Sequence, residues 1–153
     1  MTLLECSLPG SPGGAVLGYG EEGDALGLSL RPRLLITDDE CTDRRVMRWL
    51  AESCGFSVRE ASSLSEMTTI MQEWEPEVLV LDIVMPDADG IEIMRLLGSM
   101  HCSFSLLLVT ACRAVLKPAY DLGLAYGLHM VDALAKPLDP DCFKDGLRRA
   151  IMP

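Results

Sequence analysis

The sequence has little of what membrane and zinc-binding proteins need. No uninterrupted apolar stretch in its 153 residues approaches the roughly 20 residues that cross a bilayer, so we expect no membrane span. Only two histidines, His101 and His129, are present, and the six cysteines include no C-x-x-C pair. A zinc site therefore has little support. Cysteines scattered in this way are typical of free thiols in a reducing cytoplasm.

Positive charge is also scarce. With 13 basic and 23 acidic side chains, the formal charge is −10. This balance argues against binding nucleic acid or anionic lipid by electrostatic attraction, and it favours a cation or a basic partner. The first charged residue is Glu5, and the amino terminus has no basic segment followed by an apolar centre. We therefore expect no secretory signal and a cytoplasmic protein.

The composition changes near residue 30. Residues 1–30 hold seven of the thirteen glycines and no basic residue, and they show neither helical nor alternating periodicity. We interpret them as a flexible leader, although their leucines leave open an added helix or strand. Residues 31–153 have the length of one compact domain.

Short apolar runs alternate with amphipathic stretches along residues 31–153. This alternation is typical of repeated β-α units around a parallel sheet. It predicts five strands, RLLIT (33–37), FSVREA (56–61), EVLVLD (77–82), SLLLVT (105–110) and HMVDALA (129–135). We expect an α/β fold in which a five-stranded parallel sheet lies between helices on both faces.

Capping signals locate two of the helices between these strands. Ser63 followed by Glu66 has the spacing of a capping box and predicts the start of the second helix. Asp139 followed by Pro140 predicts the start of the fifth helix. Both helices therefore have a defined first residue.

The third and fourth helices are less regular. We expect the third over residues 90–100 and the fourth over residues 113–126. Proline is tolerated in the first turn of a helix and disrupts a helix interior. Pro118 therefore either interrupts the fourth helix or lies in its first turn. The sequence leaves these two alternatives open.

Polar side chains follow four of the five predicted strands. Asp38 and Asp39 end the first strand, Asp82 the third and Thr110 the fourth, and Lys136 follows the fifth. Parallel α/β sheets bind ligands beyond the carboxyl ends of their strands. We therefore expect three carboxylates, a hydroxyl and an ammonium group to meet in one crevice.

This set of groups suits phosphoryl transfer. Three carboxylates repel one another unless a cation is present, and Mg²⁺ prefers oxygen ligands while leaving room for phosphate oxygens. Asp82 can then act as the nucleophile toward a phosphoryl donor. Lys136 can neutralise the transferred charge, and Thr110 can donate a hydrogen bond to it.

The motifs LLITDDE, VLVLDIVMPDADG, LLLVTA and LAKPL together resemble the receiver domain of two-component response regulators. The resemblance covers about Arg33 to Ile151. It implies a doubly wound (βα)5, flavodoxin-like fold, and a cis bond between Lys136 and Pro137. It also assigns residues 31–153 to a receiver domain.

The resemblance implies a role for each residue that matches the motifs. Asp82 would be the phosphoacceptor, and Thr110 and Lys136 would contact the phosphoryl group. The Mg²⁺ ligands would be Asp39 and Asp82 directly, Asp38 through water, and the backbone carbonyl of Val84. The implied partners are a sensor histidine kinase and an output domain or partner protein, whereas a homodimer is left open. Such a domain catalyses its own phosphorylation and is not an enzyme with turnover.

Two departures from the family pattern concern the output. Ala133 occupies the position, three residues before the lysine, where the family usually has Tyr or Phe. The span from Thr110 to Lys136 is also a few residues longer than usual, which implies an extended fourth helix or loop. This stretch is similar to receivers fused to EAL-type domains, which hydrolyse cyclic di-GMP, although residues 1–153 contain no EAL signature.

Two other functions fit parts of the sequence. A pseudo-receiver would keep the scaffold as a phosphorylation-independent interaction module, and the missing aromatic at Ala133 favours it. A phosphatase that forms an aspartyl phosphate is disfavoured, because such enzymes carry a second Asp as general acid two positions after the nucleophile, where this chain has Val84. Because valine cannot orient a hydrolytic water, we expect a long-lived phosphoaspartate in the receiver.

Overall fold

The computed structural model describes residues 31–101 and 103–153, and the predicted leader lies outside them. Five strands alternate with five helices in the order β1 (Arg33–Thr37), α1 (Cys41–Ser53), β2 (Ser57–Ala61), α2 (Leu64–Trp74), β3 (Val78–Asp82), α3 (Gly90–Ser99), β4 (Ser105–Thr110), α4 (Arg113–Ala125), β5 (His129–Ala135) and α5 (Pro140–Ala150). Three strands have the predicted bounds, and β2 and β3 each begin one residue later than predicted.

The strands form one parallel sheet in the order β2-β1-β3-β4-β5. Apolar side chains of α2, α3 and α4 pack on one face, and those of α1 and α5 pack on the other. This confirms the expected doubly wound α/β fold. The strand order reverses between β1 and β3, and the carboxyl ends of these two strands border the crevice where such sheets bind ligands.

The central strands are apolar on both sides because each side chain faces one of two helical layers. In β3, Val78 and Val80 contact the layer of α1 and α5, whereas Leu79 and Leu81 contact the layer of α2, α3 and α4. All five residues of this strand are buried. The alternation places Asp82, the last residue of β3, on the side of α1 and α5.

The two predicted helix caps are confirmed. Ser63 accepts a hydrogen bond from the Glu66 amide at 3.2 Å, and Asp139 accepts one from the Cys142 amide at 2.9 Å. The return bond differs from the expected capping box, because the Glu66 carboxylate accepts from the amide of Ser62. Each helix start therefore has side-chain acceptors for otherwise unpaired amides.

The structure resolves the alternatives for α4. Pro118 is the sixth residue of an unbroken helix, so both interpretations are wrong: the proline lies beyond the first turn, and it does not interrupt the helix. The helix continues through the proline to Ala125, and the following Tyr126 lies against α3 at Gly98. A methyl group on Gly98 would lie 2.9 Å from the Tyr126 carbonyl oxygen, so the two helices approach too closely there for a larger residue.

The pairing of β5 with β4 is irregular. Leu106 pairs with Met130 and Leu107 pairs with Asp132, so Val131 is an extra residue that bulges from the ladder. The expected extension of the fourth helix or its loop relative to the family stays a prediction. Among the helices of the described residues, none is long and apolar enough to cross a membrane.

Candidate functional site

The sheet register brings the first and third strand ends together. Thr37 of β1 lies opposite Leu81 of β3, so the next residues, Asp38 and Asp82, lie side by side at the edge of the sheet. Both side chains are buried. Asp39 follows Asp38 at the rim of the crevice and is exposed. The three carboxylates therefore meet as the sequence predicts.

The three carboxylates have a spacing that fits a small divalent cation. One oxygen each from Asp38, Asp39 and Asp82 lie within 4.8 Å of one another. Two ligands that are each about 2.1 Å from one Mg²⁺ are about 4.2 Å apart when they lie on opposite sides of it and about 3 Å apart when they are adjacent, so the three carboxylates would have to draw closer to hold the ion. The donors are all oxygens, which Mg²⁺ prefers. Val84 donates its backbone amide to Asp82 Oδ1 at 2.8 Å, and a ligand role for its carbonyl remains a prediction.

The Lys136 ammonium group lies among the carboxylates. It contacts Asp38 Oδ2 at 2.5 Å, Asp82 Oδ2 at 2.8 Å and Asp43 Oδ2 at 2.9 Å. The peptide bond between Lys136 and Pro137 is cis, as the resemblance implied. The predicted lysine is therefore in contact with the predicted phosphoacceptor.

Burial and hydrogen bonding oppose each other in this cluster. Burial raises the pKa of the Asp38 carboxyl group, although hydrogen bonds from Lys136 and the Glu40 amide act in the opposite direction. Burial also disfavours the charge of Lys136, but hydrogen bonds to Asp38, Asp43 and Asp82 outweigh it and raise the pKa of the ammonium group. The lysine therefore stays charged and compensates the carboxylates.

Thr110 ends β4 next to this cluster and is fully buried. Its hydroxyl oxygen accepts a hydrogen bond from the Cys112 amide at 3.1 Å. Alternation along β4 places Thr110 on the same side as Leu108, which packs in the layer of α2, α3 and α4. Thr110 therefore faces the opposite side of the sheet from Asp82, and its contact with a phosphoryl group stays a prediction.

Sequence reasoning missed two residues of α1 that hold the site together. Arg44 donates to the backbone carbonyls of Asp38 and Asp39, at 2.7 and 3.2 Å, and so fixes the loop that carries both acids. Asp43 is the third carboxylate on Lys136. Both residues lie in the first turn of the helix that follows Asp38 and Asp39, and that position was the available signal.

Comparison with known proteins identifies the class. The sequence model of the response regulator receiver domain matches residues 34–148. The chain is 28% identical over 111 residues to the alkaline phosphatase synthesis transcriptional regulatory protein PhoP of Bacillus subtilis, which covers 72% of this chain and 45% of that protein. It is 28% identical over 126 residues to the C4-dicarboxylate transport transcriptional regulatory protein DctD of Pseudomonas aeruginosa, covering 78% of this chain and 25% of that protein.

Solved structures agree with the fold. A response regulator from Colwellia psychrerythraea is similar with a TM-score of 0.66 and 28% identity, covering 76% of this chain and 95% of that one. The signal receiver domain of a response regulator from Bermanella marisrubri has a TM-score of 0.68 at 20% identity, covering 80% and 99% of the two chains. The second likeness shows the fold alone.

The chain belongs to the response regulator receiver domain family. Its matched segment contains all the residues that the sequence placed in the crevice. The chain spans less than half the length of the two regulators named above, so their whole activities and targets are not carried over.

Proposed function

We propose that this receiver domain accepts a phosphoryl group on Asp82 in a Mg²⁺-dependent reaction and acts as a signalling switch. The observation that carries the proposal is the contact of Asp82 Oδ2 with the Lys136 ammonium group, beside two further carboxylates with the spacing of a cation site. An aspartate that only terminates a turn does not need to be buried beside a lysine and two further carboxylates. Burying them has a cost that a purely structural role would not explain.

Each side chain of the crevice has its own role in the proposed phosphoryl transfer. An oxygen of Asp82 attacks the phosphorus atom in line with the bond to the donor's leaving group, and that bond breaks as the acyl phosphate forms. Lys136 neutralises charge on the phosphoryl oxygens, and the Thr110 hydroxyl donates to one of them. When bound by Asp38, Asp39 and Asp82, Mg²⁺ would supply the positive charge that lets a phosphoryl group approach the carboxylates.

The partners follow from this chemistry. We propose a sensor histidine kinase as the donor and an output domain or partner protein as the recipient of the signal, in the cytoplasm. The domain would catalyse its own modification without turnover of a free substrate. A homodimer and a link to cyclic di-GMP through an EAL-type domain remain predictions, and the relatives named above give the EAL link no support.

Labelling with a small phosphodonor tests the proposal. The purified chain is incubated with MgCl₂ and acetyl phosphate and analysed by intact mass and peptide mapping. We expect one phosphoryl group on Asp82, sensitive to hydroxylamine and absent when EDTA replaces Mg²⁺. Asp82→Asn should abolish the label, whereas Asp87→Asn, which removes an exposed carboxylate from the β3–α3 loop, should retain it.

The same experiment decides between the receiver and the pseudo-receiver. If the wild-type chain binds Mg²⁺ but stays unmodified, the proposal is overturned. The result would then favour a phosphorylation-independent interaction module. The receiver is favoured by the cluster of Asp38, Asp39, Asp82 and Lys136, whereas the pseudo-receiver has only Ala133, half-buried on β5, in its favour.

A further inference from the structure

The Lys136 ammonium group has three N–H bonds and three carboxylate acceptors. Two acceptors, Asp38 and Asp82, are buried and follow adjacent strands. The third, Asp43, lies in the first turn of α1, and its side chain is 42% exposed. The lysine therefore bridges the sheet and α1 from the floor of the crevice.

A divalent cation and this ammonium group compete for the same oxygens. The cation cluster consists of Asp38, Asp39 and Asp82, and Lys136 already contacts two of these three carboxylates. Two positive centres a few ångströms apart repel each other, most strongly where water is excluded. Of the three acceptors of Lys136, Asp43 alone lies outside the cation cluster.

We propose that Asp43 is a positioning residue that holds the Lys136 ammonium group when a divalent cation takes the oxygens of Asp38 and Asp82. This inference rests on the proposed function of the crevice. Asp43 lets the lysine give up its buried acceptors without leaving the site, so Lys136 stays within reach of a phosphoryl group on Asp82. The lysine and the cation then occupy the crevice together.

The partial exposure of Asp43 suits this role. A carboxylate in contact with solvent can accept the lysine with little desolvation. The contact between Lys136 and Asp43 is already made at 2.9 Å, so the lysine can keep this acceptor when a cation takes the other two. The effect on cation binding should be the size that one half-exposed ion pair produces, about two- to fivefold.

Calorimetric titration of the unphosphorylated chain with MgCl₂ measures this effect directly. We expect Asp43→Asn to weaken Mg²⁺ binding about two- to fivefold, because the displaced lysine has no carboxylate to accept it. Glu40→Gln is the matched control, since it removes one exposed negative charge three residues earlier without removing an acceptor of Lys136. Asp43→Glu should restore most of the affinity.

Repeating the titration in a Lys136→Met variant separates two effects of Asp43: holding the lysine, and adding negative charge near the cation. In Lys136→Met, no ammonium group needs an acceptor, so adding Asp43→Asn should change Mg²⁺ affinity no more than Glu40→Gln does. An Asp43→Asn effect no larger than that of Glu40→Gln, or one that persists undiminished in the Lys136→Met background, overturns the inference. Circular dichroism verifies that each variant is folded.

Amine labelling gives an independent readout of where the lysine is. At saturating Mg²⁺, acylation of Lys136 by an N-hydroxysuccinimide ester should be faster in Asp43→Asn than in wild type, while Lys117 and Lys144 serve as internal references. Equal Lys136 rates would contradict the inference. Asp82 labelling of the wild type is scored separately, so a chain that is phosphorylated but insensitive to Asp43→Asn refutes the inference and leaves the proposed function standing.

Discussion

Replacing Lys136 with methionine tests whether this ammonium group compensates the buried carboxylates. Without divalent cations, the change leaves the fully buried Asp38 beside Asp82. Among the described residues, no other positive charge lies as close to the Asp38 carboxylate as Lys136 does in the wild type. Removing one partner of a buried ion pair costs about 3–5 kcal/mol. Protonation of Asp38 limits that loss. Protonating a carboxyl group with the ordinary aspartate pKa of 3.8 costs about 4 kcal/mol at pH 7 and about 2 kcal/mol at pH 5.

The expected loss in unfolding free energy is therefore about 3 kcal/mol at pH 7 and less than about 2 kcal/mol at pH 5. The sign follows because Lys136 lowers the pKa of Asp38: without the lysine the folded state binds the proton more tightly than the wild type does, so the variant recovers stability relative to the wild type as the pH falls. Urea unfolding followed by circular dichroism, in EDTA and at both pH values, measures the difference. Adding Mg²⁺ should recover more stability in the variant than in wild type, since the cation supplies the missing charge.

Lys117→Met is the matched control. The Lys117 side chain is 82% exposed and pairs with Asp121 one helical turn away, so its loss should change stability by no more than about 0.5 kcal/mol. A Lys136→Met loss below about 1 kcal/mol that is equal at both pH values and insensitive to Mg²⁺ would refute the reasoning.

Three further predictions concern single positions. Val84→Asn places an amide two residues after Asp82, where it can orient water, and should shorten the lifetime of the phosphorylated chain on the order of tenfold by mass spectrometry, whereas equal lifetimes would mean that Val84 only packs. Ser63→Ala removes the acceptor of the Glu66 amide and should lower the unfolding free energy by about 1 kcal/mol in urea, and an unchanged midpoint would deny the cap. Gly98→Ala should lose about 1 kcal/mol, because overpacking against the Tyr126 carbonyl exceeds the gain in helix propensity, and a stabilised variant would contradict the close approach.

The predicted strands and most of the site have one physical origin. Strands buried on both faces appear as continuous apolar runs, so their ends are visible in the sequence. Parallel strands end at the same edge of the sheet, so Asp38, Asp82, Thr110 and Lys136 are predicted to lie at that edge. This prediction requires no information about individual contacts. The register of β1 with β3 then placed the first two side by side.

The remaining features depend on geometry that a pattern does not encode. Asp43 contacts Lys136 because of the direction in which α1 leaves β1 and because of the conformation of a long side chain. The extra residue Val131 is apolar like its neighbours, so nothing in HMVDALA marks the bulge. The sequence predicts the start of α4 near Arg113, but only the structure shows that the helix continues through Pro118.

The two outer strands limit how this domain can join with others. On β2, charged Arg59 and Glu60 lie next to each other, with Arg59 over the Trp74 ring. On β5, the bulge at Val131 breaks the regular backbone spacing, and Asp132 is tied to Arg149 of α5. Charges and bulges make an outer strand a poor template for β-augmentation. Self-association of this domain would therefore join helical surfaces and leave the sheet at five strands.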